Sequence, residues 1–212
     1  VIFASGRHRK LLVPLALCLV ACSGEEDRDP PGAAQVSMFT GRLETADAVV
    51  GLAVSEWGNV YAYVCGGETT FATHSRWFAG SLASGSAPLE NDGFRLDVTR
   101  RGEETDITLT APDGAVHTTL AERAGAGSRS AVYESPADAE CPWGVVVIDD
   151  GGVEPEVHGT WCGLIEAAEV FAQVTPVRPM DFSNDILPVL ANTPAGEVRF
   201  EVRRAGASPA AQ

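Results

Sequence analysis

Five cysteines, four histidines and four tryptophans are the side chains of this 212-residue chain with most chemistry to offer. A serine or cysteine hydrolase needs a nucleophile on a strained turn, a base beside it and an oxyanion hole. The Gly-x-Ser-x-Gly turn is missing, because Leu82-Ala83-Ser84-Gly85 lacks the leading glycine. His74, His117 and His158 fall in strand-like runs with no motif around them, so each reads as a surface or packing histidine. Cys65 or Cys162 could act only with a histidine that the fold delivers from elsewhere. No catalytic residue is assigned. Metal ligands fare no better: no two histidines are neighbours, Cys-x-x-Cys does not occur, and Asp149-Asp150-Gly151-Gly152 lacks the calcium-loop pattern. It reads as a turn, and neither a metal nor another cofactor is expected.

Tryptophans offer a different chemistry. Trp57, Trp77, Trp143 and Trp161 could build an aromatic platform for sugars. Trp161 falls among core positions, which leaves Trp57, on a turn, and Trp143 as the candidate ligand-facing aromatics. The net charge of −14 repels phosphate backbones, so nucleic acid is not an expected partner.

Cys22 belongs to another chemistry again. Arg7-His8-Arg9-Lys10 precedes the apolar run Leu11 to Val20, which Pro14 interrupts. The run is too short to span a bilayer, for which a helix needs about 20 residues, and its order is that of a secretory signal. Leu19-Val20-Ala21-Cys22 then resembles the lipobox of bacterial lipoproteins: aliphatic, aliphatic or small, small, cysteine. The resemblance covers residues 7–22. It implies that the Cys22 thiol receives a diacylglyceryl group and that cleavage makes Cys22 the first residue. Each buried acyl methylene contributes about 0.8 kcal/mol, and two or more chains hold a protein stably on a membrane. Ser23, directly after the cysteine, resembles the outer-membrane sorting preference of Gram-negative lipoproteins. The expected location is therefore the cell envelope, on the outer membrane, facing the periplasm or the cell surface.

The chain then divides into a signal peptide (1–21), an acidic Pro/Gly-rich tether (22–35), a single β domain (36–204) and a tail (205–212). Tether and tail have little to bury and are expected to be disordered. Loss of residues 1–21 removes Arg7, Arg9 and Lys10, so the −14 of the whole chain becomes −17. Lys10 is the only lysine, which excludes a Schiff base or a Ser-Lys dyad from the domain.

The domain reads as all-β, an antiparallel meander forming a barrel or a sandwich, because short alternating runs recur between turn residues. Ala48 to Glu56 and Val60 to Cys65 flank Gly58-Asn59, a good hairpin turn pair. That turn sets Val54 opposite Tyr63 and puts Leu52, Val54, Tyr61, Tyr63 and Cys65 on one buried face. Further runs are Arg76 to Leu82, Phe94 to Thr99, Asp106 to Thr110, Ala115 to Ala121 and Glu197 to Arg203. Residues 84–93, 122–130 and 175–190 read as loops or irregular chain. Glu166 to Glu169 fits one helical turn, and Val170 to Val174 fits a strand.

Trp143 to Ile148 and Glu154 to Trp161 form a second hairpin, with Cys141 opposite Cys162 at a Cα spacing of about 5.5 Å that suits a disulfide; local register favours this bond over a pairing with Cys65. Its buried face carries Pro142, Val146, Ile148, Val157 and Trp161, while Glu156 and His158 point the other way. Tyr61-Ala-Tyr63-Val-Cys65-Gly66-Gly67, Trp77-Phe-Ala-Gly80 and Ala131-Val-Tyr133 resemble pieces of an uncharacterised group of exported bacterial β domains. Gly66 stands where that group has Asp, and the resemblance implies no activity.

These observations lead to a lipid-anchored envelope protein whose β domain serves binding or structure. The rivals are an extracytoplasmic hydrolase, which needs a Ser or Cys beside a histidine, and a glycan-binding module, which needs exposed tryptophans on one face.

Overall fold

The computed structural model describes residues 35–82 and 84–206. The signal peptide, Cys22, the tether up to residue 34 and residues 207–212 lie outside them. Among the described residues, fourteen strands and one short helix follow in order. The first eight strands are β1 (Val36–Arg42), β2 (Ala48–Ser55), β3 (Asn59–Gly66), β4 (Arg76–Ser81), β5 (Ser86–Asn91), β6 (Phe94–Arg101), β7 (Glu104–Thr110) and β8 (Val116–Arg123), with α1 (Phe71–His74) before β4. The last six are β9 (Ala131–Glu134), β10 (Gly144–Ile148), β11 (Glu156–Ile165), β12 (Ala168–Pro176), β13 (Ile186–Thr193) and β14 (Gly196–Arg204).

The first eight strands pair in the order β4-β3-β2-β1-β8-β7-β6-β5. Every strand neighbours its successor except β4 and β5, and β1 returns to β8. The sheet is thus an up-and-down barrel zipped at β1–β8, with a seam between β4 and β5. Side chains bridge that seam: Asn91 Nδ2 donates to the Trp77 carbonyl at 2.8 Å. Leu89 packs into the space left by Gly80, where a Cβ would collide with it. Phe39, Leu52, Val64, Phe78, Leu96, Ile107 and Leu109 fill the interior. The last six strands form a closed barrel, β10-β11-β12-β13-β14-β9, filled by Tyr133, Val145, Val147, Leu187, Val189 and Val202.

A third apolar cluster joins the two barrels. Met38, Val49, Ala53 and Tyr63 from the first meet Val132, Val146 and Ile148 from the second. Gly51 allows the approach: a Cβ there would lie 3.1 Å from Val132 Cβ and 3.2 Å from Val146 Cγ1. β2 is therefore buried along its whole length and β10 likewise, and both read as unbroken apolar runs rather than alternation.

That double burial explains two register corrections. β2 and β3 pair Val54 with Val60 and Leu52 with Ala62, not Val54 with Tyr63. The turn is Glu56-Trp57-Gly58, with Gly58 at φ +83° and its N–H donating to the Ser55 carbonyl, a three-residue loop. Leu52 and Val54 face the barrel interior with Val60 and Ala62, while Tyr61, Tyr63 and Cys65 face the other barrel. In the second hairpin Val146 pairs with His158 and Ile148 with Glu156, one residue from the expected register. Glu156 and His158 consequently lie on the same face as Val146, at the rim of the inter-barrel contact. Arg42 of β1 reaches across to Glu156 at 3.0 Å and to Asp150 at 2.8 Å.

Other differences are local. Strand β5 lies within the expected loop 84–93, and β13 begins inside the expected irregular stretch. Glu166 and Ala167, expected to open a helical turn, are the two positive-φ residues of a tight hairpin between β11 and β12. Ala205, expected to begin the tail, is fully buried and donates its N–H to the Val132 carbonyl at 2.9 Å.

Candidate functional site

A cleft of about 1170 Å³ opens where one end of the six-stranded barrel meets the flank of the first sheet. Tyr61 and Trp77 contribute from β3 and β4, stacked at 4.2 Å between ring centroids. From the second barrel come Trp143, Trp161 and Phe200, with Trp161 and Phe200 roughly parallel at 6.0 Å and Trp143 edge-on to Phe200 at 5.4 Å. The segment from Ser135 to Pro142 forms a further wall. Cys141 and Cys162, both at this wall, are disulfide-bonded with their Cα atoms 5.8 Å apart. The bond forms despite the shifted register, because Cys141 precedes the first paired residue of β10 and is free of the ladder.

The exposed tryptophans are not the expected pair. Trp143 is only 2 % exposed, since it continues the odd-numbered face of β10 into the barrel with Val145 and Val147. Trp57 is 66 % exposed on the β2–β3 turn and is not among the residues lining the cleft. Trp161, expected in the core, is instead half-buried at the cleft. Half-buried Tyr61 and Phe200 join it there, so the available aromatic faces are these three.

Glu134, the last residue of β9, also lines the cleft. Burial raises its carboxyl above the ordinary value, with Arg203 pulling in the opposite direction. Burial likewise raises the neighbouring Tyr61 hydroxyl, and the Glu134 charge adds to it. Glu134 makes no ion pair or side-chain hydrogen bond among the described residues. Asp138, Glu140 and Glu201 add negative charge around the rim, against Arg199 and Arg203. Among the described residues no helix is long and apolar enough to cross a membrane. Compared with protein-family models, curated proteins and solved structures, the chain finds no match.

The other chemistry-bearing residues lie elsewhere. Cys65 is buried beneath the inter-barrel contact, 3.7 Å from Thr160 Oγ1, which shares a 2.8 Å hydrogen bond with Ser75 Oγ. Burial pushes its thiol up to about 12, so it stays protonated and unreactive near neutrality. His74 Nδ1 lies 2.9 Å from Thr73 Oγ1, His117 Nδ1 lies 3.1 Å from Thr45 Oγ1, and His158 pairs with Glu156 at 3.1 Å. A serine or cysteine beside a histidine is not formed among the described residues. The carboxylate Glu169 approaches both Cys141 and Cys162, but sulfurs joined to each other are not thiolates and do not make a metal centre.

Asp149 to Gly152 is a turn with a builder of its own. Arg129 donates to both Asp149 carboxylate oxygens, at 3.0 and 2.8 Å, and to the carbonyls of Gly152 and Val153. These hydrogen bonds hold the Asp149 carboxyl well below the usual carboxylate range. A carboxyl depressed in the folded state contributes stability above its unfolded pKa of about 3.9 and loses it as pH falls toward the folded value. Asp149→Asn is accordingly expected to lower the melting temperature by a constant amount from pH 5 to 8. The gap to the wild type narrows below about pH 4. Thermal melts of both proteins across pH 2.5 to 8 check this, and a gap that stays constant into acid contradicts it.

Proposed function

We propose that this is a lipid-anchored cell-envelope protein whose β domain is a non-catalytic binding module, with the cleft beside the six-stranded barrel as its ligand site. The cleft carries the reading: it is large, partly aromatic, walled by a disulfide-stapled segment and lined from both barrels. Concave sites with aromatic walls and a few polar groups are where proteins take up ligands. The anchor rests on the lipobox-like Leu19-Val20-Ala21-Cys22, and residues 22–35 then serve as a tether between membrane and domain. An acidic body gains nothing from anionic lipid, so the acyl chains on Cys22 do the holding.

Detergent-phase partitioning tests the anchor. The natively expressed wild type is expected in the detergent phase, and Cys22→Ser is expected in the aqueous phase or uncleaved in the membrane. Intact mass of the purified wild type should show a diacylglyceryl group on residue 22 with residues 1–21 removed. A bare cysteine, or equal partitioning of both proteins in the aqueous phase, refutes the anchored reading.

A further inference from the structure

We infer that the cleft takes a saccharide chain, with the rings of Tyr61, Trp161 and Phe200 as stacking surfaces and Glu134 as an acceptor for sugar hydroxyls. This rests on the cleft being a binding site and names the class of its ligand.

Size comes first. About 1170 Å³ exceeds the ~300–1,000 Å³ that encloses a single drug-sized ligand, which favours an extended occupant. The rings suit the weakly apolar faces of sugars. Each exposed face is held from behind or beside: Tyr61 lies on buried Trp77, and Phe200 lies between Trp161 and the edge of buried Trp143. Such rings are fixed before a ligand arrives, so little side-chain freedom is lost on binding.

The remaining walls exclude the competing classes. Glu134, Asp138, Glu140 and Glu201 outnumber Arg199 and Arg203, which disfavours phosphate and other anions. Charges around the rim are costly to bury against a lipid tail. An extended peptide that adds a strand needs an unpaired edge; the six-stranded barrel is closed, and the two edges of the first sheet, β4 and β5, face each other across the seam with Asn91 donating to the Trp77 carbonyl. A small organic cation needs rings converging as a box. Here Trp161 and Phe200 lie alongside one another at 26°, and Trp143 presents its edge. A neutral polyhydroxylated chain meets each condition, since its hydroxyls donate to carboxylates and accept from guanidinium groups.

Glu134 supplies the independent sign. Its carboxyl is half-buried, unpaired and raised by burial, with Arg203 and Tyr61 its charged and titratable neighbours. A carboxyl raised in the folded state destabilises the fold as pH climbs through the interval between its unfolded and folded values. A group that costs the fold stability while facing a cleft serves something other than the scaffold.

Affinity electrophoresis of the full chain in detergent tests the inference. The gels contain hydroxyethyl cellulose, soluble xylan, glycol chitin or isolated envelope glycan strands. At least one polymer is expected to retard the wild type. Trp161→Ala should weaken that retardation by about tenfold or more, the scale of losing one anchoring aromatic. Glu134→Gln should weaken binding while keeping or raising the melting temperature at pH 7, a pairing that a misfolded variant cannot produce. Trp57→Ala, outside the cleft, should bind as the wild type does. Retardation by no polymer, or equal loss in Trp57→Ala, overturns the proposal. So does a thermal shift from tetramethylammonium or oligo-arginine in place of saccharide. A protein that partitions into detergent yet runs freely through every gel sinks the saccharide and leaves the anchor standing.

Discussion

Val146→Asp is expected to leave the chain unfolded at 25 °C, with both barrels lost together. Val146 has no exposed surface and sits in the cluster shared by the barrels, against Gly51 of β2 and beside Val132. An aspartate there lies opposite His158, which is already held by Glu156 at 3.1 Å, so its charge gains no partner of its own. Protonating it instead against a pKa shift of ~3–5 units, and giving up the valine contacts, costs several kcal/mol. The net stability of a domain is only about 5–15 kcal/mol. Because the cluster belongs to both barrels, neither has a complete surface without the other. Tryptophan fluorescence and far-UV circular dichroism should therefore report one transition in the wild type and none in the variant. An eight-stranded barrel that melts on its own, after the six-stranded one has gone, contradicts this.

The second large effect belongs to the disulfide. Cys141 and Cys162 are 21 residues apart, and closing a loop of that length removes unfolded-chain entropy worth about 3 kcal/mol. The double variant Cys141→Ser/Cys162→Ser is expected to melt roughly 6–12 °C lower, by the usual scaling for domains of 150–250 residues. Wild type treated with reductant should fall to the same temperature, and the variant should not respond. A wild type whose melting is indifferent to reductant shows that the bond contributes nothing. The loss should extend to the cleft, because the bond ties the Ser135–Pro142 wall to β11.

The two outcomes draw on features that differ in how far the sequence reveals them. Cys141 and Cys162 flank one hairpin, so local chain geometry brings them together even with a register misread by one residue. The all-β meander is legible for the same reason: successive strands pair, and turn residues such as Asp92-Gly93 mark each reversal. Register is not legible where both faces of a strand are buried, as in Ala-Val-Val-Gly-Leu-Ala-Val-Ser of β2, because alternation then carries no sign of inside and outside. Strand β5, Ser-Ala-Pro-Leu-Glu-Asn, has no β-branched residue, and β6 is its one ladder partner, with only side chains reaching β4. The cleft was hidden most deeply. Tyr61, Glu134, Trp161 and Phe200 come from four distant segments, and only the docking of two barrels through Gly51 and its neighbours assembles them. Trp143 and Trp161 exchanged roles because burial at that site depends on which side of β10 the second barrel encloses.

The missing ladder between β4 and β5 gives the two banks of the cleft unequal stiffness. On one bank, Trp161 and Phe200 are set in a ring of strands hydrogen-bonded without interruption. On the other, Tyr61 leans on Trp77, whose strand is held across the gap by an asparagine amide and a leucine. Amide exchange should accordingly run faster along β4 and β5 than along β9 and β10. For the saccharide chain proposed above, a bulky guest would gain room by displacing the Tyr61 bank, while the opposite bank would keep the register of successive units.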